Sequence, residues 1–332
     1  MTVQITIIGL GQIGASMGLA LKAHNVDAHI IGHDKEISIA KDAQKLGAVD
    51  DVKYNLPASV LDANIVILAL PFNGIKETLK IISPDLQEGT LLFDTAPSKV
   101  TVAAWAKELI PAGRFYVGLA PAINPEYLHG TEIGVQAARA DLFDRGLFAV
   151  NVPVGTPQNV FELAMGLVSL LGAVPLLMDS TEADGLFAAI HMLPQLAASA
   201  LLDATVDRPG WHEARKLAGR SYASVTSGLP SHDEALSLGD SALENRENVV
   251  RVINGYISSL LKLRDVIEDG DRDALLQQLE ANLSGRLRWI NERHAADWLQ
   301  RDAAPAELPN LKDRMKQLFI GSRMFERAKS RK

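Results

Sequence analysis

Three glycines near the start of the chain constrain its fold more than any other feature. They follow an apolar stretch at residues 3–8 and open a helical pattern. In such a place one glycine permits a tight turn, one lets the backbone approach a pyrophosphate, and one allows close helix–strand packing. The helix N-terminus adds free N–H groups and the positive end of a dipole. The alternative is a glycine turn without a ligand. The residues predicted to hold a dinucleotide here are Gly9, Gly11, Gln12, Ile13 and Gly14.

The first 180 residues alternate short apolar stretches with helical patterns. Buried strands that alternate with helices are typical of a parallel sheet covered on both faces. The predicted strands are 3–8, 28–31, 65–70, 91–93 and 115–118, extended by 148–152 and 173–178. The predicted helices between them are 12–23, 36–46, 74–82 and 99–109. The expected fold class is therefore α/β, with a Rossmann-type nucleotide-binding domain over residues 1–180.

From about residue 181 the strand pattern ends and only helical stretches follow. They are predicted at 182–205, 211–226, 241–267 and 272–299. The uncharged run 185–202 is long enough to cross a membrane, but it carries His191, Pro194 and Gln195. A helix that is apolar all round also suits the core of a helical dimer. We expect an all-helical dimerisation and substrate domain over residues 181–305, a homodimer, and no membrane span.

A basic segment, residues 306–332, is predicted to follow the helical domain. Within 310–332 there are eight Lys or Arg residues and two acids, a charge of +6 that leaves −13 on the rest of the chain. Two interpretations stay open. One is a solvated helix docked on its own domain, and the other is a basic amphipathic segment for a membrane surface or an acidic partner.

Composition excludes several classes of function. The net charge of −7 argues against nucleic acid as a partner of the whole chain. Because the chain has no cysteine, thiol nucleophiles and thiolate metal sites are excluded. The histidines lack metal-ligand spacing, so no metal site is expected. The N-terminal residues show no targeting pattern, which predicts a cytoplasmic protein.

The second predicted strand is followed by Asp34, twenty residues after Gly14. A carboxylate there binds the ribose 2′-hydroxyl of NAD and repels the 2′-phosphate of NADP, so NAD is the expected cofactor and NADP the weaker candidate. Lys35 works against this preference, since a neighbouring cation could tolerate a phosphate. Leu70 and Pro71 end a central strand at the same edge of the sheet and complete the predicted cofactor site.

Six segments resemble the prephenate/arogenate dehydrogenase family of aromatic amino-acid biosynthesis. They are GLGQIGASMGLAL (9–21), NIVILALP (64–71), DTAPSK (94–99), GVQAARADLF (134–143), DGLFAAIHMLPQLAASAL (184–201) and LENRENV (243–249). The resemblance implies a nucleotide-binding domain followed by a helical domain that interlocks in a homodimer. It also implies an NAD-dependent oxidoreductase that oxidatively decarboxylates a small cyclohexadienyl carboxylate in tyrosine biosynthesis.

The substrate half departs from the family pattern. The family places a histidine just after the strand at 115–118, as the acceptor for the ring hydroxyl, and here Ala120 occupies that place. Its second histidine motif appears as His191-Met-Leu-Pro194-Gln195, displaced by one residue, which is about 100° of rotation on an α-helix. The family's carboxylate-binding arginine falls near Ser227, and Arg220 is the nearest candidate.

These departures define the candidate catalytic and substrate residues. Oxidising a hydroxyl requires a group that takes its proton, a role that alanine cannot fill. His191 is predicted for this role, and His129, in an insertion at 127–131, is its alternative. The predicted substrate contacts are Pro121, Asn124, Lys99 and Arg220. Lys99 is equally consistent with a solvated cap, and His191 with a hydrogen-bonded core residue.

Two other functions stay open at this point. One is a β-hydroxyacid-type dehydrogenase, because the segment Leu119-Ala-Pro121-Ala faintly resembles a motif of that family. The catalytic lysine of that family, followed four residues later by asparagine, is missing, because Lys216 is followed by Arg220. The other is a catalytically decayed NAD-binding homolog.

Overall fold

The computed structural model describes residues 3–130, 132–228, 231–296 and 298, and the predicted basic segment 306–332 lies outside them. Within these ranges an eight-stranded sheet precedes a set of helices. The strands are β1 Val3–Ile8, β2 Ala28–His33, β3 Asp51–Val52, β4 Ile65–Leu68, β5 Leu91–Asp94, β6 Phe115–Ala122, β7 Leu147–Asn151 and β8 Val174–Leu177. The helices beside the sheet are α1 Gln12–Ala23, α2 Ile37–Lys45, α3 Leu56–Val60, α4 Phe72–Ile82, α5 Lys99–Leu109 and α6 Gln158–Leu170. The later helices are α7 Ser180–Phe187, α8 Leu193–Thr205, α9 Trp211–Leu217, α10 Arg220–Thr226, α11 His232–Glu244, α12 Arg246–Glu268 and α13 Arg272–Ala295.

The sheet has the strand order β3-β2-β1-β4-β5-β6-β7-β8. Neighbouring strands are parallel except β6 and β7, which are antiparallel. The chain leaves β1 toward β2 on one side and returns to β4 on the other. The strand order therefore reverses between β1 and β4, and open sheets of this kind bind ligands at such a switch point, beyond the carboxyl ends of the strands. The α/β class with a Rossmann-type sheet is confirmed.

Strand side chains point alternately into two helical layers. Ile5, Ile7 and Phe93 belong to the core shared with α1, α2 and α6. Val66 and Leu92 belong to the core shared with α3, α4 and α5. Because both faces are covered, the strands are continuous apolar runs rather than alternating ones. The covered faces leave the carboxyl edge of the sheet as the place for a ligand.

β6 is the longest strand and extends beyond β5. Residues 115–118 pair with β5, whereas residues 118–122 pair with the returning β7. The expected sheet was parallel throughout, but a parallel return needs a long crossover, usually a helix. In the part of 123–146 that the structure describes, the regular elements are two short 3₁₀ turns, Pro125–Tyr127 and Gly134–Ala137. The chain therefore turns back at the same edge and forms a ribbon that projects past the carboxyl end of β5.

The change from strands to helices falls between Leu177 and Ser180. The predicted helix 182–205 is interrupted by a π-helical segment, Ala188–Met192. Pro194 explains the interruption, since its missing N–H and its ring exclude a normal bond to the carbonyl of Ile190. The predicted helix 211–226 divides into α9 and α10 around Gly219.

Two short elements were missed, and the predicted start of a later helix was wrong. The structure has β3 and α3, which no sequence pattern indicated, and it places α11 ahead of the predicted start at residue 241. β3 has two residues and α3 has five. Elements this short do not show a hydrophobic period.

The helices after the sheet expose a broad apolar surface, which we call the apolar helical face. By length and composition alone, the helix Ser180–Thr205 could cross a membrane, and little of it is buried inside one chain. Ile190 is 69% exposed, and α12 and α13 add rows of exposed leucine and isoleucine. The members of this face are Leu186, Ile190, Ile257, Leu260, Leu261, Leu276, Leu279, Leu283 and Leu287.

Candidate functional site

The turn between β1 and α1 has the geometry of a phosphate cradle. Gly9 has φ +91°, and a Cβ there would lie 2.3 Å from the carbonyl oxygen of Ala69, so only glycine fits. Gly14 packs against the backbone of Gly9. A Cβ on Gly11 would meet no atom within 4 Å. The fold thus requires glycine at two of the three positions, and at Gly11 the space in front of the backbone is open to a ligand.

The N-terminus of α1 borders this open space. Gly11 is the N-cap and supplies no side-chain hydrogen bond to the first turn, so the first N–H groups of the helix have no partner within it. The side chain of Gln12 donates to the carbonyl of Ala137 at 3.4 Å, and Ile13 packs on the core. Their backbone N–H groups, rather than their side chains, therefore remain as the groups that suit a pyrophosphate.

Asp34 is fixed beside the cradle. Its carboxylate accepts hydrogen bonds from the backbone N–H groups of Leu10, at 2.8 Å, and Glu36, at 2.9 Å. Lys35 does not reinforce a phosphate site, because its ammonium lies 2.8 Å from the carboxylate of Asp233 on α11. This hydrogen bond and the charge of Asp233 raise the pKa of Lys35. The carboxylate at the end of β2 therefore lies beside the cradle, and the neighbouring Lys35 is paired elsewhere.

Two helices at the carboxyl edge receive their caps from the helical domain. Neither Pro71, before α4, nor Ser98, before α5, forms a side-chain cap. The hydroxyl of Ser237 accepts the N–H of Phe72 at 2.9 Å. The carboxylate of Asp184 accepts the N–H groups of Lys99, at 2.5 Å, and Val100, at 3.2 Å. Capping groups satisfy N–H groups that a helix leaves unpaired, so these bonds hold α7 and α11 against the edge of the sheet.

A buried polar network lies behind this junction. Lys99 is fully buried, and its ammonium donates to Asp94 at 2.8 Å and to the carbonyl of Leu119 at 2.7 Å. The hydroxyl of Tyr116 donates to the other oxygen of Asp94 at 2.6 Å. The expected contact between Lys99 and substrate is therefore corrected. The buried ammonium instead binds the backbone of β6 at Leu119, the residue before Ala120.

Burial dominates the ionisation of this network. It lowers the pKa of the Lys99 ammonium, and the charge of Asp94 opposes that shift. It raises the pKa of the Tyr116 hydroxyl well above its usual value, with Asp94 acting in the same direction. It also raises the pKa of Asp184, against the hydrogen bonds from Lys99 and Val100. Because these groups are paired and withdrawn from water, the network suits a structural role.

The loop after β6 places two predicted substrate contacts differently. Pro121 lies in the projecting ribbon, opposite Phe148 of β7, and is half-buried. Asn124 is 5% exposed. Its side chain donates to the carbonyl of Asp141 and accepts the N–H of Glu126. The expectation that Asn124 contacts substrate is therefore corrected to a role in shaping the loop, whereas Pro121 stays a candidate.

The candidate proton acceptors lie on separate elements. His191 is in the π-helical segment, exposed to solvent, and its imidazole makes no hydrogen bond within the described ranges. Surrounding protein atoms nevertheless lower its pKa by desolvation. The expected 100° displacement assumed a regular α-helix, but a π-helical turn holds an extra residue, so that argument does not apply. His129 and Arg220 are exposed, at 3₁₀-turn and helix boundaries respectively.

Two residues of this site were missed at the level of sequence. Asp184 is the one acid of the segment 184–201 quoted for its resemblance, next to an apolar helical run, and that was a usable signal. Ser237 gave no comparable signal, because a serine in a polar helix is ordinary. Both act on helices more than 80 residues away in sequence.

An open glycine cradle, a carboxylate at the end of β2 and a helical domain attached at the carboxyl edge are the features expected of a two-domain protein that binds a dinucleotide. Comparison with known proteins gives the family. Residues 17–177 match the model of the prephenate dehydrogenase nucleotide-binding domain, and residues 179–281 match that of its dimerisation domain. The chain belongs to the prephenate dehydrogenase family.

Individual relatives agree with this family. The chain is 26% identical to prephenate dehydrogenase of Bacillus subtilis, over 82% of its own length and 72% of the relative's. It is 26% identical to cyclohexadienyl dehydrogenase of Zymomonas mobilis, over 85% and 94%. Among solved structures, prephenate dehydrogenase of Aquifex aeolicus with hydroxyphenyl propionate and NAD+ has a TM-score of 0.74 and 24% identity, covering 87% of this chain and 98% of the other. That last likeness shows the fold.

These matches confirm the resemblance, the enzyme class of NAD-dependent dehydrogenases, and the prephenate-dehydrogenase type of function. The dimerisation domain supports the expected homodimer. The β-hydroxyacid-type alternative is not favoured. The identity of the substrate and the roles of individual residues stay predictions.

Proposed function

We propose that this protein is an NAD-dependent dehydrogenase that oxidatively decarboxylates prephenate, arogenate or a close cyclohexadienyl relative. The observation that carries the proposal is the open space at Gly11 in a chain of this family. Gly9 and Gly14 are required for the fold itself. Gly11 is not, and its open space fits the pyrophosphate of a dinucleotide.

The residues around the cradle suit NAD. The N–H groups at the start of α1 would hold the pyrophosphate, and the carboxylate of Asp34 would accept a ribose hydroxyl. Because Lys35 is paired with Asp233, a 2′-phosphate would meet the charge of Asp34 without compensation. When bound, NAD+ supplies the hydride acceptor.

His191 is the proposed proton acceptor. When the carbon that bears the hydroxyl gives up hydride, the hydroxyl proton must pass to a base, and Ala120 cannot take it. His191 lies two turns after Asp184, which attaches its helix to α5 at the carboxyl edge. Its lowered pKa keeps the imidazole neutral and able to accept the proton at a ring nitrogen. The ring carboxylate of the substrate leaves as CO₂, which provides further driving force.

The assembly we propose is a homodimer through the apolar helical face, in the cytoplasm and without nucleic acid or membrane as partner. Burial against a second copy explains an apolar helix that one chain leaves uncovered. A family dimerisation domain that begins at residue 179 supports this interpretation over a membrane span.

The test is an assay of NADH absorbance with purified protein, NAD+ and either prephenate or arogenate. We expect turnover of at least one substrate, and tighter calorimetric binding of NAD+ than of NADP+. NAD+ binding without turnover of either compound would contradict the proposal and favour the decayed homolog. Tenfold tighter binding of NADP+ would overturn the choice of cofactor.

A further inference from the structure

Arg293, in the last turn of α13, is a buried cation without a counter-charge. Its side chain is 8% exposed, and its guanidinium donates to the carbonyl of Ile123. Within the described ranges no carboxylate pairs with it. The nearby Glu126 lies 3.6 Å from His294 instead. Charged side chains are rarely this buried unless they are paired.

The surroundings of Arg293 offset only part of its charge. The carbonyl of Ile123 and the negative end of the α13 dipole each carry a partial charge. Burial lowers the pKa of the guanidinium, and no acid acts in the opposite direction. A guanidinium has five N–H donors in a planar fork, and Ile123 takes one of them. The remaining donors suit an anion that is planar or tetrahedral, such as a carboxylate or a phosphate.

A second donor without an acceptor lies beside Arg293. The guanidinium carbon is 5.7 Å from the centre of the Trp298 ring. The indole Nε1 of Trp298 is buried and has no hydrogen-bond partner. Buried donors normally have an acceptor, and leaving one unpaired costs about 1–3 kcal/mol. The unpaired indole N–H therefore lies next to a guanidinium that gives the described residues one hydrogen bond, and together the two groups suit an anion.

The pair lies at the carboxyl edge of the sheet, where we expect the substrate. Ile123 directly follows β6, three residues after Ala120 and two after Pro121. It lies in the loop at the projecting end of the ribbon, beyond the carboxyl end of β5. α13 thus closes the same edge of the sheet at which α7 and α11 are attached.

We propose that Arg293, assisted by Trp298 Nε1, binds a carboxylate of the substrate. The inference rests on the proposed function, since the anion is taken to be the side-chain carboxylate of the cyclohexadienyl substrate, which stays in the product when the ring carboxylate leaves as CO₂. Arg293 replaces Arg220 as the residue for this role, because Arg220 is exposed at the start of the short helix α10. Because Ile123 fixes one N–H of the Arg293 guanidinium, the remaining N–H groups set the direction from which a carboxylate approaches. The positive charge favours substrates with a carboxylate over neutral rings.

The test compares two ligands that differ only in the carboxylate side chain. Hydroxyphenyl propionate carries it, and 4-ethylphenol keeps the ring without it. Both are titrated by calorimetry in the presence of NAD+ into the wild type, Arg293→Gln and the control Arg288→Gln, an exposed arginine of the same helix. We expect Arg293→Gln to weaken hydroxyphenyl propionate by about 10- to 100-fold, the usual loss for a charged hydrogen bond, and to leave 4-ethylphenol unchanged. Arg288→Gln should bind both ligands like the wild type.

Other outcomes overturn the assignment. If Arg293→Gln weakens both ligands equally, the residue only supports the fold, and if it weakens neither, the charge has another partner. Inorganic phosphate that binds through Arg293 without displacing hydroxyphenyl propionate would make this an effector site rather than a substrate site. Should Arg293→Gln not fold, Arg293→Lys keeps the charge and removes the fork, and a raised KM with unchanged kcat is expected.

Failure of the proposed function is separable from failure of this inference. A protein that oxidises neither prephenate nor arogenate, yet loses discrimination between the two ligands in Arg293→Gln, retains the carboxylate site without the reaction. A protein that oxidises prephenate with the same KM in Arg293→Gln has the reaction and a different carboxylate site.

Discussion

Gly11 is the glycine of the cradle that the fold does not require, so a substitution there tests ligand binding separately from folding. A side chain at this position meets no protein atom within 4 Å, so Gly11→Val should fold normally. We expect it to weaken NAD+ binding by about tenfold or more, because the valine side chain would fill the space of the pyrophosphate and hold it away from a backbone N–H, and a charge-assisted hydrogen bond to phosphate contributes about 1.5–3 kcal/mol. Calorimetric titration measures the affinity, and thermal unfolding without ligand measures the fold.

Gly285→Val is the matched control for this change. Gly285 also has open space in front of its Cβ position, but it lies on α13, away from the cradle. It should bind NAD+ like the wild type. Unchanged NAD+ affinity in Gly11→Val would show that the cradle is not the cofactor site.

His191 carries a prediction about pH. Desolvation lowers the pKa of its imidazole below the ordinary 6.5, so the neutral form persists into more acid solution. The acid limb of kcat/KM should therefore begin below pH 6.5. His191→Asn should remove this limb and reduce turnover by about 10²-fold or more, with NAD+ affinity unchanged.

The outcome at His191 decides the role of the insertion at 127–131. Full activity in His191→Asn would exclude it as proton acceptor. His129→Asn then becomes the informative variant, since that histidine is exposed in the loop after β6. If His191→Asn and His129→Asn both keep the turnover of the wild type, the proton acceptor is a residue other than these two histidines.

At the scale of elements, the capping of α5 by Asp184 is the contact that fixes α7 on the nucleotide-binding domain. Asp184→Ala leaves the N–H groups of Lys99 and Val100 without an acceptor. We expect a loss of about 1–3 kcal/mol in the free energy of unfolding, measured with urea. Turnover should fall as well, because the helix that carries His191 loses its attachment.

Asp271→Ala provides the comparison, since Asp271 caps α13 from within the helical domain, through the N–H of Ala274. It should be mildly destabilising and leave turnover unchanged. If the two variants lose the same stability and both keep full turnover, Asp184 is an ordinary cap and does not position the His191 helix.

The elements that sequence predicted correctly are those with a local signal. β1, the glycine turn and α1 follow one another in a pattern that depends on adjacent residues, and the structure reproduces 3–8 and 12–23. The reversal of β7 depends on the lack of a crossover helix in the described part of the loop 123–146, and no residue in β7 itself encodes it. The π-helical segment depends on one proline acting on the turn before it.

Site residues show the same division. Gly9, Gly14 and Asp34 were predicted together because a dinucleotide site places its residues at fixed intervals, and the structure brings them to one turn, where their role in binding stays a prediction. Lys99 was assigned to the substrate because its ammonium was assumed to be accessible, whereas Asp94 and Leu119 enclose it. Burial of one side chain by distant elements is a tertiary property, which one sequence without homologues does not specify.

At the scale of the whole molecule, the helical domain is attached at three points around one edge of the sheet. α7 contacts α5 through Asp184, α11 contacts α4 through Ser237, and α13 contacts the loop after β6 through Arg293. All three lie at or beyond the carboxyl ends of the strands. We expect cofactor and substrate to meet at this edge, between these attachments.

The apolar helical face predicts a homodimer that one charge per chain can disrupt. In a two-fold interface each substitution occurs twice, and an unpaired charge in an apolar interface is strongly unfavourable. We expect the wild type to be a dimer of 35.9 kDa chains at micromolar concentration, and Ile190→Glu or Leu283→Glu to be monomeric by light scattering. Val154→Glu is the control, because Val154 is a fully exposed apolar residue outside this face, in the loop before α6. A wild-type monomer, or dimers of unchanged affinity in both face variants, would show that this face is covered by something other than a second copy.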